Sequence, residues 1–167
     1  MERSLARERA TADIVDAYRD GGRIVRCEIQ FAQFGGRARF AGPIRTIVTH
    51  EDNALVKRLA GEPGNGSVLV VDGGGSLRTA LVGDKIAGSA AANGWVGLVL
   101  YGAVRDTVVL RTIAIGIKAL GSNPWTSAKA GTGLVDVPIT IGGTTFHPGA
   151  WLYSDEDGIV IADGELT

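Results

Sequence analysis

The chain has 167 residues, 45% of them hydrophobic and 21% charged, and a formal net charge of −1. That composition belongs to a globular domain and excludes a disordered or strongly basic protein. A single cysteine, Cys27, excludes an internal disulfide, and no run reaches the roughly 18 apolar residues of a membrane helix, so a soluble cytoplasmic protein is expected.

Residues 1–10 are charged and are expected to form a poorly ordered extension of a single domain spanning 1–167. Thr11, Ile14, Val15 and Tyr18 predict a short capped helix that stops at Gly21-Gly22. Arg23, Arg26, Arg37, Arg39 and Arg45 gather in the first third, where a solvated face or subunit contacts explain them better than a nucleic-acid surface. An extended run over 44–48 follows Gly42-Pro43, and Asp52 is placed to cap a helix through Leu55, Val56 and Leu59. Residues 67–71 are apolar at nearly every position, as in a parallel strand buried on both faces, and run into Asp72-Gly73-Gly74-Gly75. A small-residue helix over 85–93, closed by Gly94, leads to a second buried strand over 96–100 that ends at Tyr101-Gly102. This is the order of a βαβ unit. A short helix after Arg105 and a strand over 113–120 continue it. Val137, Ile139 and Ile141 alternate with polar residues and turn at Gly142-Gly143 into 144–146, a hairpin. Strands at 151–153 and 159–161 close the chain. The reading is one α/β domain: a central parallel sheet, helices, and an additional antiparallel layer. The 25 glycines, about twice the ordinary share, suit many tight strand-to-loop turns.

Generic signatures are missing: no G-x-G-x-x-G after a strand, no P-loop, no H-E-x-x-H and no G-x-S-x-G. The glycines of Asp72–Ser76 are consistent either with an anion nest or with a plain tight turn. His50 and His147 stand apart without ligand-like companions and read as surface or packing residues. Arg105-Asp106 differs by position, because ligands of α/β sheets bind beyond the carboxyl ends of strands. The strand over 96–100 delivers this pair there, and the strand over 67–71 leads to Gly83-Asp84. Position alone also allows a surface ion pair with Asp106 capping a helix.

The segments Gln33-Phe34-Gly35-Gly36, Phe40-Ala41-Gly42-Pro43, Val71-Asp72-Gly73-Gly74-Gly75-Ser76, Asn93-Gly94-Trp95, Tyr101-Gly102-Ala103-Val104-Arg105-Asp106 and Tyr153-Ser154-Asp155-Glu156-Asp157-Gly158 together resemble the RraA-like family over about residues 11–162. That family unites regulators of ribonuclease activity A with 4-hydroxy-4-methyl-2-oxoglutarate aldolases. The resemblance implies the swivelling β/β/α fold, assembled as a homotrimer with clefts between subunits. It also implies the aldolase pattern D-x20-R-D, met here by Asp84 and Arg105-Asp106, where regulator-type members can lack one or both carboxylates. By this likeness Asp106 holds a divalent cation, Mg²⁺ or Mn²⁺, and Arg105 holds a small 2-oxo acid. Gly83, Asp84, Lys85 and Ile86 line the substrate, partly through backbone N–H groups.

The chemistery suits those residue types. Cleaving a 4-hydroxy-2-oxo acid leaves a pyruvate enolate, whose negative oxygen a Lewis acid and a forked guanidinium stabilise. Asp84 is suited to orient the water that returns a proton to carbon. Oxaloacetate decarboxylation passes through the same enolate. Lys85 is the one near candidate for a Schiff base, a route the metal pattern disfavours. The alternative implied by the resemblance is a regulator that binds an RNA-degrading endonuclease. A quinone methyltransferase, a third activity attached to relatives, lacks its glycine-rich cofactor loop here.

Overall fold

The protein's structure, a computed structural model, describes residues 5–167. Its first half contains α1 (Thr11–Tyr18), β1 (Ile24–Arg26), β2 (Ala32–Gln33), β3 (Phe40–Val48), α2 (Ala54–Ala60), β4 (Val68–Asp72), β5 (Ala80–Val82) and α3 (Asp84–Ala92). The second contains β6 (Gly97–Val104), α4 (Thr107–Leu110), β7 (Gly116–Ser122), β8 (Leu134–Val135), β9 (Ile139–Ile141), β10 (Thr144–Phe146), β11 (Trp151–Asp155) and β12 (Gly158–Ala162).

Strands β3, β4, β6 and β7 run parallel at the centre. Side chains alternate across a strand, so each apolar run feeds two cores. Leu69 and Val71 of β4 face α2 and α3, packing with Leu55, Val56, Leu59, Ala87 and Ala90. Val68 and Val70 face the other way, onto Phe40, Phe146, Leu152, Ile159 and Ile161. The mixed α/β architecture expected from sequence is present, with one difference. The antiparallel strands β11, β12 and β1 are hydrogen-bonded onto β3 as a continuation of the same sheet, and only the β9–β10 hairpin stands apart as a second layer. That hairpin turns at Gly142 and Gly143, both at positive φ (56° and 79°), as a two-residue primed turn requires.

Three expected boundaries move. The strand expected to stop at Tyr101-Gly102 runs on to Val104, because β5 pairs with its extension and Leu81 packs where a Gly102 side chain would stand. Residues 113–115 complete the turn after α4 before β7 begins at Gly116. Within the stretch expected as an extension, Leu5–Glu8 forms a 3-10 turn, Ala6 is buried, and Arg7 pairs with Glu165 at 2.7 Å; residues 1–4 lie outside the described residues. Asp52 does cap α2 through the Ala54 N–H (3.0 Å), and its buried carboxylate also accepts from the Ala130 and Gly131 amides and Thr132 Oγ1, pinning that loop.

The helix α1 is not capped by Thr11 itself. Asp155, from β11, accepts both the Thr11 N–H and the Thr11 hydroxyl at 2.7 Å, and also the Asp157 N–H at 3.0 Å. Burial pushes this carboxyl up, but those hydrogen bonds outweigh it and hold it below its ordinary value. A depressed folded pKa means stability that is complete above the ordinary carboxylate value, about 3.9, and lost as pH falls below it. Asp155→Asn should therefore cost about 1.5–3 kcal/mol at pH 7. The gap between variant and parent in urea melts should narrow below about pH 4; a gap of equal size at pH 7 and pH 3 would refute this account.

Candidate active site

The carboxyl ends of β5, β6 and β7 lie side by side, which brings three loops together. The Arg105 N–H donates to the Val82 carbonyl (2.9 Å) and the Asn123 N–H to the Val104 carbonyl (3.0 Å). Asp106 follows in the left-handed region (φ 56°, ψ 38°), a conformation that aspartate tolerates better than most side chains. Its side chain makes no hydrogen bond to α4, which it precedes. Instead Oδ2 accepts the Asp84 N–H at 3.1 Å, so the carboxylate sits on the positive end of α3. Oδ1 lies 3.8 Å from Arg105 Nε. The alternative of Asp106 as a cap for its own helix is thereby set aside.

Gly83 makes this approach possible. A Cβ there would stand 2.6 Å from Asp106 Oδ2 and 3.1 Å from Arg105 Cγ. Its backbone is extended (φ −124°, ψ −164°), so the requirement is space rather than conformation. The resemblance marks Gly83 as lining the substrate, but nothing in the sequence shows that it makes room for the Asp106 carboxylate.

The members of the expected site divide by what they can offer. Arg105 Nε is buried and makes no hydrogen bond to the protein, so it is a donor that an acceptor in the site can engage. Asp84 spends Oδ1 on the Lys85 N–H (2.8 Å), so two of the leading amides of α3 are already engaged. Lys85 is exposed, unlike the buried amine that an imine route needs. Ile86 turns its side chain into the helix-side core, so it reaches the site only through its backbone.

The glycine loop after β4 resolves as a tight turn. Gly73 and Gly75 donate to the Tyr101 carbonyl, Gly74 to Asp72 Oδ1 and Ser76 to the Gly73 carbonyl, which leaves no nest for an anion. Beside it Ser76 Oγ donates to Glu51 Oε1 (2.8 Å), with His50 Nε2 3.8 Å from the same oxygen. His50 and His147 are both exposed. Asn123 and Trp125 went unread in the sequence, where Asn123-Pro124 signals only a turn. Asn123 holds the loop over the end of β6 by donating to the Leu77 carbonyl and accepting from the Trp125 N–H.

Among the described residues, no group of three or more His, Cys, Asp or Glu is assembled around a common point. A cation here would have one protein carboxylate, Asp106, one-third exposed and with its Oδ1 lone pairs open. That donor set fits a hard divalent cation that keeps several waters.

A family model described as RraA-like, Aldolase/RraA, matches residues 11–161. A solved structure described as the RNA-processing inhibitor RraA from Thermus thermophilis is 46% identical, with a TM-score of 0.90, and the match covers 100% of this chain and 96% of that one. One described as S-adenosylmethionine:2-dimethylmenaquinone methyltransferase from Geobacillus kaustophilus HTA426 is 41% identical, with a TM-score of 0.90, over 95% and 97% of the two chains. RraAS2 from Streptomyces coelicolor shares the fold at 22% identity, with a TM-score of 0.75, over 94% and 82%.

Proposed function

This chain belongs to the RraA-like family, which includes both aldolases and inhibitors of RNA processing, and from that premise we propose that it is a divalent-metal-dependent lyase releasing pyruvate from 4-hydroxy-4-methyl-2-oxoglutarate or a related 4-hydroxy-2-oxo acid. The observation that carries this reading is Arg105 Nε, buried without a hydrogen bond to the protein and 3.8 Å from Asp106, whose carboxylate is seated on a helix N-terminus.

In the retro-aldol step the C3–C4 bond breaks, the 4-hydroxyl passes its proton to a water in the site and becomes the carbonyl of one product, and the electron pair of the broken bond passes to the other as an enolate. Arg105 donates to the substrate carboxylate and to the oxygen that becomes negative. Asp106 would hold Mg²⁺ or Mn²⁺, which when bound supplies Lewis-acid stabilisation of that oxygen. Asp84 Oδ2 is left to orient the water that protonates the enolate carbon. Loss of CO2 from oxaloacetate yields the same enolate, so the site should decarboxylate it as well.

A second reading, inhibition of an RNA-degrading endonuclease by contact, is favoured by the Thermus relative. A methyltransferase draws no support from this chain, since the amides of the 72–76 loop are spent within the turn. Pyruvate release from both keto acids, with Mg²⁺ and with chelator, separates the two. Chelator-sensitive release is expected; ribonuclease inhibition that survives chelation, with no pyruvate from either acid, would establish the regulator reading instead.

The assembly proposed is a homotrimer with the site in a cleft between subunits. Its support is the exposed apolar side chains on the segments that follow β4, β6 and β7: Leu77, Val108, Val109 and Trp125, the last 72% exposed. Light scattering should give about three times the 17.3 kDa chain mass. A stable monomer at micromolar concentration would count decisively against the trimer. The described residues include no helix long and apolar enough to cross a membrane.

A further inference from the structure

A groove of about 1070 Å³ follows the free edge of β1, and none of the residues lining it belongs to the Arg105–Asp106 site. β1 ends the sheet order and, among the described residues, pairs only with β12. Cys27 N donates to the Ile159 carbonyl and Asp163 N to the Arg23 carbonyl, so in this antiparallel ladder Arg23, Val25 and Cys27 face β12. Ile24 and Arg26 therefore turn their backbone groups outward, and of these the Arg26 carbonyl already accepts from Thr144 Oγ1 at 2.9 Å.

The two walls differ in chemistry. On the α1 side stand Arg19 and Arg26; Arg19 has only exposed Asp20, at 4.0 Å, and Arg26 has no ion pair among the described residues. Arg23 and Asp163 neutralise each other across the rim at 2.8 Å; the other carboxylate of the lining, Glu28, has no ion pair among the described residues. On the hairpin side stand Val25, 54% exposed, with Ala150 and Thr145.

We propose that the edge of β1 is a docking site for an extended segment of a partner protein in which acidic and apolar residues alternate. Added as an antiparallel or parallel strand, such a segment would bond to the outward Ile24 and Arg26 groups. Its side chains, alternating with period two, would present carboxylates to Arg19 and Arg26 and apolar groups to Val25. Single-stranded nucleic acid fits less well, because the groove is lined by no tryptophan, tyrosine or phenylalanine and a strand edge has no use for a phosphate backbone.

The probe is a fluorescein-labelled seven-residue peptide alternating glutamate and valine, titrated into the full chain by fluorescence anisotropy. Binding is expected to weaken about tenfold or more in the double variant Arg19→Glu, Arg26→Glu, and to survive Arg26→Lys. Amide exchange at Ile24 and Arg26 should slow when the peptide is bound. A thermal melt of each variant, matching the parent, ensures that lost binding is not lost folding. Equal affinity of the double variant overturns the proposal, as do unchanged exchange at both amides and tighter binding of a uridine heptanucleotide. Protection of those amides in the free protein also overturns it, since a second copy would then own the edge. None of these outcomes depends on lyase activity.

Discussion

Asp106→Ala is expected to reduce pyruvate release close to background and to weaken divalent-metal binding together with it. The variant removes the carboxylate proposed to hold the cation, and the described residues supply no cluster of three or more ligand-type side chains to replace it. It also frees the Asp84 N–H that Asp106 Oδ2 now accepts. Arg105→Lys should behave differently. The charge stays, but the planar fork and the buried Nε donor are lost. Metal affinity should persist while KM rises and kcat falls, because the arginine would touch both the ground-state carboxylate and the developing enolate. Losing a donor of that kind costs about 10²–10³ in rate. An isothermal metal titration run beside steady-state kinetics reads both variants. Near wild-type activity for Asp106→Ala at ordinary Mg²⁺ would end the metal-lyase reading.

Gly83→Ala should be nearly as damaging to activity and far milder to the fold. The added methyl would press on Asp106 Oδ2 and the Arg105 side chain, and both must retreat from where they now lie. The backbone at Gly83 is one that alanine adopts freely, so no conformational strain accompanies the change. A loss of about 10²-fold in kcat/KM is expected, as for other displacements near 1 Å in a reacting site. Circular dichroism should show a melting temperature within a few degrees of the parent. A fully active Gly83→Ala would mean that the contact between Gly83 and Asp106 does not set the site's geometry; unfolding would mean that this glycine serves the packing of α3 instead.

Much of the frame was legible in the chain itself. The continuous apolar runs over 67–71 and 96–100 announce strands buried on both faces, and the glycine pair at 142–143 announces a hairpin. Placing Arg105-Asp106 at the carboxyl edge of such a strand needed only the order of elements. The four short strands β1, β2, β5 and β8 were not legible: each has two or three residues, too few for a period, and forms only because a neighbour offers an edge. The Tyr153–Gly158 segment carries the resemblance without giving its reason, which is that Asp155 reaches 144 residues back to hold Thr11. The same limit applies at the site. Sequence determined which charged residues arrive at the edge of the sheet. Only the fold decided that Asp106 turns toward α3 rather than α4 and that Gly83 leaves the room for it, because each is a contact between segments far apart in the chain, and only the fold buried Arg105 Nε without a hydrogen bond to the protein.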